Sequence, residues 1–281
     1  MNKNYSKNIE NFKNSLNIEG YSKNTIDIYC LYLDLFEKYI QKDINNIESK
    51  DIINYLSYIK NIKKISSTTI NLIISIFNHY YKIYLKKNIN IDIKLPKKSK
   101  KLPTTLTNDE IKLLIKNTKN KRNKLIIEFI FSTGTRISEC VNMKIDDLDF
   151  IESVGKVVSG KGNKDRIIIL SKKWIEKYRK YLKKRENIIK SKYLFCTSKG
   201  ANLSVDTIQK FLKESAKQSG INKKVSPHTL RHSFATSLLE NDVNIRYIQQ
   251  LLGHTNLNTT QIYTKVNTNK LKKIKNPLDN L

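Results

Sequence analysis

The residues of this chain that could do chemistry gather in a few short stretches. The densest is Ser226-Pro227-His228-Thr229-Leu230-Arg231-His232. Ser followed by Pro is a good helix start, because the hydroxyl caps free amides and Pro fits the first turn. Leu230, Phe234 and Leu238 recur every four residues and are expected to face a core. His228 and Arg231 are three apart and share a different face, where an imidazole would sit beside a guanidinium. Such a pair is ordinary on a helix surface when it stands alone. Further on, Leu251-Leu252-Gly253-His254 reads as a helix end, with Gly253 as the stop that holds His254 there. Asn258-Thr259-Thr260-Gln261 is another cap, which puts Tyr263 in the first turn or two of the next helix. Tyr263 is one of 15 tyrosines, so by itself it reads as packing. Upstream, Ser132-Thr133-Gly134-Thr135-Arg136 turns into a helix on which Cys140 is expected to pack.

These residue types narrow the reaction. Metal binding is the rival use of clustered histidines, but no Cys or carboxylate accompanies them in a ligand pattern. Gly160-Lys161-Gly162 lacks the spacing and strand-to-helix setting of a phosphate-binding loop, and neither a paired-acid motif nor G-x-S-x-G occurs. Catalysis must then use Tyr, His, Arg and Lys, with no cofactor and no metal. A tyrosine phenolate can attack a phosphodiester, arginines can stabilise charge on the phosphorus oxygens, and a Lys or His can protonate the leaving oxygen.

Charge agrees with a polyphosphate partner. The chain of 281 residues has 53 Lys+Arg against 25 Asp+Glu, a net +28. Lys, Asn and Ile dominate throughout, so a compositional bias of an A+T-rich genome is the competing explanation. Arginine is the sharper clue. There are only seven: Arg122, Arg136, Arg166, Arg179, Arg185, Arg231 and Arg246. A chain that defaults to Lys is expected to keep Arg where a planar fork is needed. For Arg122, Arg166 and Arg246, contact with a polyphosphate backbone and simple surface placement weigh equally. Apolar residues are 39% of the chain, enough for real cores, and no apolar run reaches membrane-spanning length. The start of the chain has no apolar stretch of a secretory signal. Cys30, Cys140 and Cys196 lie far apart, which suits a reducing cytoplasm rather than a disulfide framework.

The elements that must position these residues fall into two parts. The first reads as a helical bundle. Ile28, Leu31, Leu35, Phe36 and Tyr39 are spaced as one face, followed by Ile52, Ile53, Leu56 and Ile59, and then Ile70, Ile73, Ile74, Phe77 and Tyr81. A basic linker with two prolines and five lysines, Lys94 to Pro103, breaks the pattern. The second part opens on a capping box, Thr107-Asn108-Asp109-Glu110, and continues with helices from Ile111 and Leu125. Gly155–Ser159 and Arg166–Leu170 read as strands joined by a hairpin turn over Gly160–Asp165. From Trp174 the chain is mostly helical again.

Taken in order, these stretches resemble the tyrosine recombinase (phage integrase) family, and most closely its Xer-type members. The motifs are Thr133-Gly134-Thr135-Arg136-Ile137-Ser138-Glu139, Gly160-Lys161-Gly162-Asn163-Lys164-Asp165-Arg166, His228-Thr229-Leu230-Arg231-His232, Leu251-Leu252-Gly253-His254 and Thr259-Thr260-Gln261-Ile262-Tyr263. The resemblance spans the chain. It implies a mainly α protein with a small antiparallel sheet in the catalytic domain, built as a two-domain C-shaped clamp on DNA. Residues 1–93 would be the helical, SAM-like DNA-binding domain, 94–105 the linker, and 106–281 the catalytic domain. Its tail, from about 264, would contact the next subunit.

Residue by residue, the resemblance implies that Tyr263 is the nucleophile and that Arg136 and Arg231 hold the non-bridging oxygens. Lys161 would protonate the leaving 5′-oxygen, with Lys164 the competing lysine of the same turn. His228 would manage the tyrosine proton, His254 would bond the phosphate, and Glu139 would support the site. The implied reaction is cofactor-free cleavage, exchange through a Holliday junction and rejoining at a short, partly palindromic site on double-stranded DNA. The implied assembly is a homo-tetramer, or a hetero-tetramer with a second recombinase, on two duplexes, with a DNA translocase as a further partner. The role would be cytoplasmic resolution of chromosome or plasmid dimers. Integration of a mobile element is the runner-up, followed by a DNA-binding protein without turnover. A type IB topoisomerase-like activity shares the chemistry, but those enzymes carry more chain around the core.

Overall fold

The computed structural model describes residues 5–87, 89, 103–158 and 165–253. The chain divides into two compact units, Met1–Lys100 and Lys101–Leu281.

The first unit is helical: α1 (Lys7–Ile18), α2 (Lys23–Ile40), α3 (Ser49–Asn61), α4 (Ser67–Phe77) and a π-helical stretch, Asn78–Tyr84, that continues α4. Ser22 and Ser66 start α2 and α4 by accepting the amides of Thr25 and Thr69, each at 3.3 Å. Phe12, Phe36, Phe77, Tyr80 and Tyr81 are fully buried together. The two tyrosines bury their rings and still satisfy their hydroxyls, Tyr80 on Asn45 Oδ1 at 2.8 Å and Tyr81 on the Ile44 carbonyl at 2.9 Å. The connection between α2 and α3 is thereby pinned to the core.

The expected faces of α3 and α4 hold in the main: Ile52, Leu56, Ile59, Ile70, Ile73, Phe77 and Tyr81 are buried. Ile53, however, is exposed. On α2 the inward face differs from the expected one. Ile26, Cys30, Leu33 and Phe36 point inward, with Asp34 beside them, while Leu35 and Tyr39 are exposed. The helix carries apolar residues on most sides, so spacing alone could not fix its rotation.

The second unit is mostly helical around a three-stranded antiparallel sheet. Its elements are α5 (Asn108–Asn117), α6 (Lys121–Thr133), α7 (Ile137–Asn142), β1 (Leu148–Asp149), β2 (Val154–Val157), β3 (Arg166–Ile169), α8 (Lys172–Glu186), α9 (Val205–Gln218), α10 (Pro227–Glu240) and α11 (Ile245–Leu252). The strands lie in chain order, with Gly155 opposite Ile168 and Val157 opposite Arg166. β1 was not expected from the sequence; two residues are too few for a periodic signal. The box at α5 is as expected: Thr107 Oγ1 accepts the Glu110 amide at 3.2 Å and Glu110 accepts the Thr107 amide at 2.8 Å. Phe129, Trp174, Tyr178 and Phe195 fill the main core, where Trp174 donates to the Leu125 carbonyl at 3.0 Å. Cys140 is buried in this core. A smaller cluster, Phe234, Ala235, Ile248 and Leu252, attaches α11 to α10. Among the described residues, no helix is long and apolar enough to cross a membrane.

Candidate active site

Two helices of the second unit end in the same way. α6 stops at Gly134 and α11 at Gly253, both in the left-handed conformation, with φ of 63° and 62°. Glycine adopts this geometry without steric cost. Space demands it as well. A Cβ on Gly134 would lie 2.4 Å from the Phe234 ring, and one on Gly253 would lie 2.8 Å from Arg166 Cδ. Each ending leaves carbonyls without helical partners and concentrates partial negative charge there.

Three arginines from three elements take up those carbonyls. Arg166, the first residue of β3, donates from Nε to Leu251 at 2.9 Å. Arg231 of α10 donates to Leu252 at 2.6 Å and to Gly134. Arg136, which precedes α7, donates to Gly253 at 3.2 Å. Three consecutive carbonyls at the end of α11 thus each receive a different guanidinium. The expected surface placement of Arg231 beside His228 does not hold. Arg231 is only 4% exposed and turned into the unit, whereas His228, three residues before it, is exposed. His228 lies in the first turn of α10, at its exposed end, while Arg231 is about one turn deeper, in a stretch of the helix that is buried nearly all round.

Glu139 joins the arginines. Its Oε1 accepts from Arg136 Nη1 at 2.7 Å and from Arg166 Nη1 at 2.8 Å. Its Oε2 accepts the Arg136 amide at 2.7 Å and Arg166 Nη2 at 2.6 Å. Burial pushes this carboxyl up, but the bond from Arg166, the Arg136 amide, the Arg166 charge and the Arg136 side-chain bond outweigh it and bring the pKa down to about 2. The group is a carboxylate at any physiological pH. Close by on α10, His232 is held neutral, its pKa pulled down to about 4 by burial and then by the charges of His228 and Arg231.

The structure therefore brings together Arg136, Glu139 and Arg231, and adds Arg166. The sequence reading undervalued Arg166 because its partner stands 27 residues away. Two signals pointed to it: arginine is scarce in this chain, and Arg166 closes the hairpin motif. Other arginines serve elsewhere. Arg122 donates to the Cys196 carbonyl at 2.8 Å, Arg185 caps the carbonyls of Ser191, Tyr193 and Leu194, and Arg246 is exposed. Lys161, Lys164, His254 and Tyr263 lie outside the described residues, as do the turn 159–164 and the tail. At the base of that turn Lys156 pairs with Asp165 at 2.9 Å. His228 and His232 stand four apart on α10, a spacing that helical metal ligands use, with ring centroids 6.4 Å apart. Among the described residues, no group of three or more His, Cys, Asp or Glu could hold a metal ion.

Guanidiniums fixed on helix carbonyls and a shared carboxylate are pre-aimed donors for an anion. Comparison with known proteins gives this arrangement a family. Residues 104–270 match the phage integrase family, and residues 9–91 match the phage integrase N-terminal SAM-like domain. Tyrosine recombinase XerA of Pyrococcus horikoshii is 40% identical over 94% of this chain and 90% of its own length. Tyrosine recombinase XerD of Listeria monocytogenes is 36% identical over 95% of this chain and 96% of its own. The crystal structure of XerH site-specific recombinase bound to its palindromic difH substrate, a post-cleavage complex, superposes with a TM-score of 0.76 at 27% identity. That match covers 88% of this chain and 78% of XerH. With both domain families matched in order and full-length relatives at this identity, the chain belongs to the phage integrase family and is a tyrosine site-specific recombinase.

Proposed function

We propose that this recombinase cuts and rejoins double-stranded DNA through a 3′-phosphotyrosyl link at Tyr263. The Tyr263 oxygen forms a bond to the scissile phosphorus as the bond to the 5′-oxygen breaks, and Lys161 gives that oxygen its proton. Arg136 and Arg231 hold the non-bridging oxygens, His254 bonds to them, and His228 takes the tyrosine proton. Reversal with a partner strand exchanges the ends through a Holliday junction. The phosphodiester energy is kept in the covalent link, so the exchange needs no nucleotide. The helical unit, residues 1–93, adds a second set of contacts to the duplex. The working state is a tetramer on two duplexes at a short, partly palindromic site, and the cellular role is resolution of chromosome or plasmid dimers in the cytoplasm.

One observation carries this reading. Arg136 and Arg231 are anchored on the carbonyls that end α11, and the chain then runs directly to His254 and, nine residues later, Tyr263. The anion-holding groups therefore stand at the start of the segment that bears the nucleophile. The net charge of +28 suits a polyanion, and relatives that match 94% and 95% of this chain are named Xer recombinases.

The test is covalent trapping in the native host. Wild type and Tyr263→Phe are expressed, the cells are denatured, and protein-linked DNA is sequenced. Adducts at one chromosomal site in wild type, and none in Tyr263→Phe, are the expected outcome. Adducts that persist in Tyr263→Phe would remove that residue as nucleophile. Adducts at the ends of a mobile element would replace dimer resolution with integration.

A further inference from the structure

We propose that Arg166 is a positioning residue for Arg136: it takes up the Glu139 carboxylate, so that this carboxylate aims the Arg136 fork without cancelling its charge. The proposal rests on the reading that Arg136 holds the scissile phosphate.

The geometry divides the carboxylate unequally. Arg166 meets it fork to fork, with Nη1 at 2.8 Å from Oε1 and Nη2 at 2.6 Å from Oε2. Arg136 gives it one side-chain bond, from Nη1 at 2.7 Å, together with its backbone amide at 2.7 Å. The bidentate contact is the stronger and more directional form. Two guanidiniums thus share one negative charge, and the pair keeps a positive excess. If Arg166 were absent, the carboxylate would pair with Arg136 alone, and a neutralised pair attracts an incoming anion weakly.

Arg166 is in no position to touch that anion itself. Its side chain is 7% exposed against 20% for Arg136. Its Nε is committed to the Leu251 carbonyl at 2.9 Å, and both Nη atoms are committed to Glu139. Gly253 lies against its stem, where even one added carbon would be 2.8 Å from Cδ. Each of its three guanidinium nitrogens is bonded to another part of the unit. It links the start of β3, the end of α11 and, through Glu139, the residue that precedes α7. Lysine could supply the charge but not the fork, which fits the choice of arginine here in a chain where only seven of 53 basic residues are arginine.

The experiment compares Arg166→Gln, Glu139→Gln and the double variant in the full chain. Each is first shown by thermal melting to be folded at the assay temperature. Rates are single-turnover formation of the Tyr263-linked adduct on nicked duplex, and duplex affinity is measured separately. Arg166→Gln is expected to cleave about 30-fold more slowly, somewhat less than the loss of a direct oxyanion donor, with affinity within about twofold. Adding Glu139→Gln removes the uncompensated carboxylate, and the double variant is expected to recover about tenfold over Arg166→Gln. A residue that only filled space would not be rescued by a second neutralising change. A double variant no faster than Arg166→Gln, or Arg166→Gln at the wild-type rate, would overturn the proposal. Should Arg166→Gln not fold, Arg166→Lys carries the test. It keeps the cation but loses the fork and is expected to cleave about tenfold more slowly than wild type, while cleavage at the wild-type rate, or a loss beyond about a hundredfold, would overturn the proposal. Wild type that forms no Tyr263-dependent adduct would instead sink the reading of Tyr263 and Arg136, so the two failures are separable.

Discussion

The core of the helical first unit and the arginine cluster of the second are held by opposite means. In the first, Phe12, Phe36, Phe77, Tyr80 and Tyr81 are fully buried, with Phe36 and Phe77 ring centroids 4.7 Å apart. Within these five side chains the polar atoms are the two tyrosine hydroxyls, each hydrogen-bonded. In the second, a four-residue apolar cluster seats α11, and the end of that helix is held by charged donors on three successive carbonyls. Apolar burial is non-directional and contributes stability in proportion to area. Charge-assisted bonds add less net stability but fix direction, and an arriving anion can exploit the same donors. The first region is built to persist, and the second is built to aim. Substitutions should separate the two properties.

The largest effect should fall on the first. Phe77→Ala leaves a cavity among fully buried rings and is expected to cost about 3–5 kcal/mol. The only tryptophan, Trp174, sits in the second unit and offers a clean assignment. Urea unfolding of Phe77→Ala followed by circular dichroism should show an early transition, while the Trp174 fluorescence transition stays in place. A Trp174 transition that moves by the same amount would mean that both units unfold as one block, and the contrast would collapse.

Arg231→Lys should show the converse. It keeps the charge but loses a fork that spans the Gly134 and Leu252 carbonyls. Cleavage is expected to fall about a hundredfold, near 2.7 kcal/mol of transition-state stabilisation, with DNA affinity close to wild type. Near-normal cleavage would remove Arg231 from the phosphate clamp. Gly253→Ala should touch both properties. It forces a left-handed alanine and presses a methyl on Arg166, for about 1–2 kcal/mol on the Trp174 transition together with slower cleavage. Unchanged cleavage in that variant would show that the carbonyls ending α11 do not aim the arginines.

What the sequence disclosed follows the same division. Local signals were legible: the Thr107 box, the Ser226 cap, the Gly134 and Gly253 stops, and the strand pair around residues 160–165. Each is settled within a few residues by hydrogen bonding or by a φ that glycine favours. Arg136, Glu139 and Arg231 were legible as motif members. Their arrangement was not, because the Arg166–Glu139 and Arg231–Leu252 contacts join residues far apart in sequence. The rotation of α2 was hidden for another reason, since a helix with apolar residues on most sides has no single face until its neighbours choose one. The π-helical stretch at Asn78–Tyr84 left no signal that spacing could read, because its aromatics pack inward at either pitch.

The smallest expected effect concerns pH and tests whether the polar region bears a stability cost of its own. His232 lies beside Arg231 and His228, and its folded pKa, about 4, is below the ordinary imidazole value near 6.5. A depressed pKa means that the unfolded chain binds the proton more readily. The neutral imidazole therefore contributes stability above about pH 6.5, and that contribution drains away as pH falls toward 4. Glu139 adds little between pH 7 and pH 5, since the stability linked to its carboxylate drains only as pH falls below its ordinary value of 4.5 toward about 2. Between pH 7 and pH 5 the Trp174 melting midpoint of wild type should drop more than that of His232→Gln. After discounting for the partial exposure of the ring, the difference is expected to be about 2 °C. Equal drops would mean that His232 is protonated in the folded protein at pH 5, and that the positive charge around Arg231 is better screened than the geometry implies.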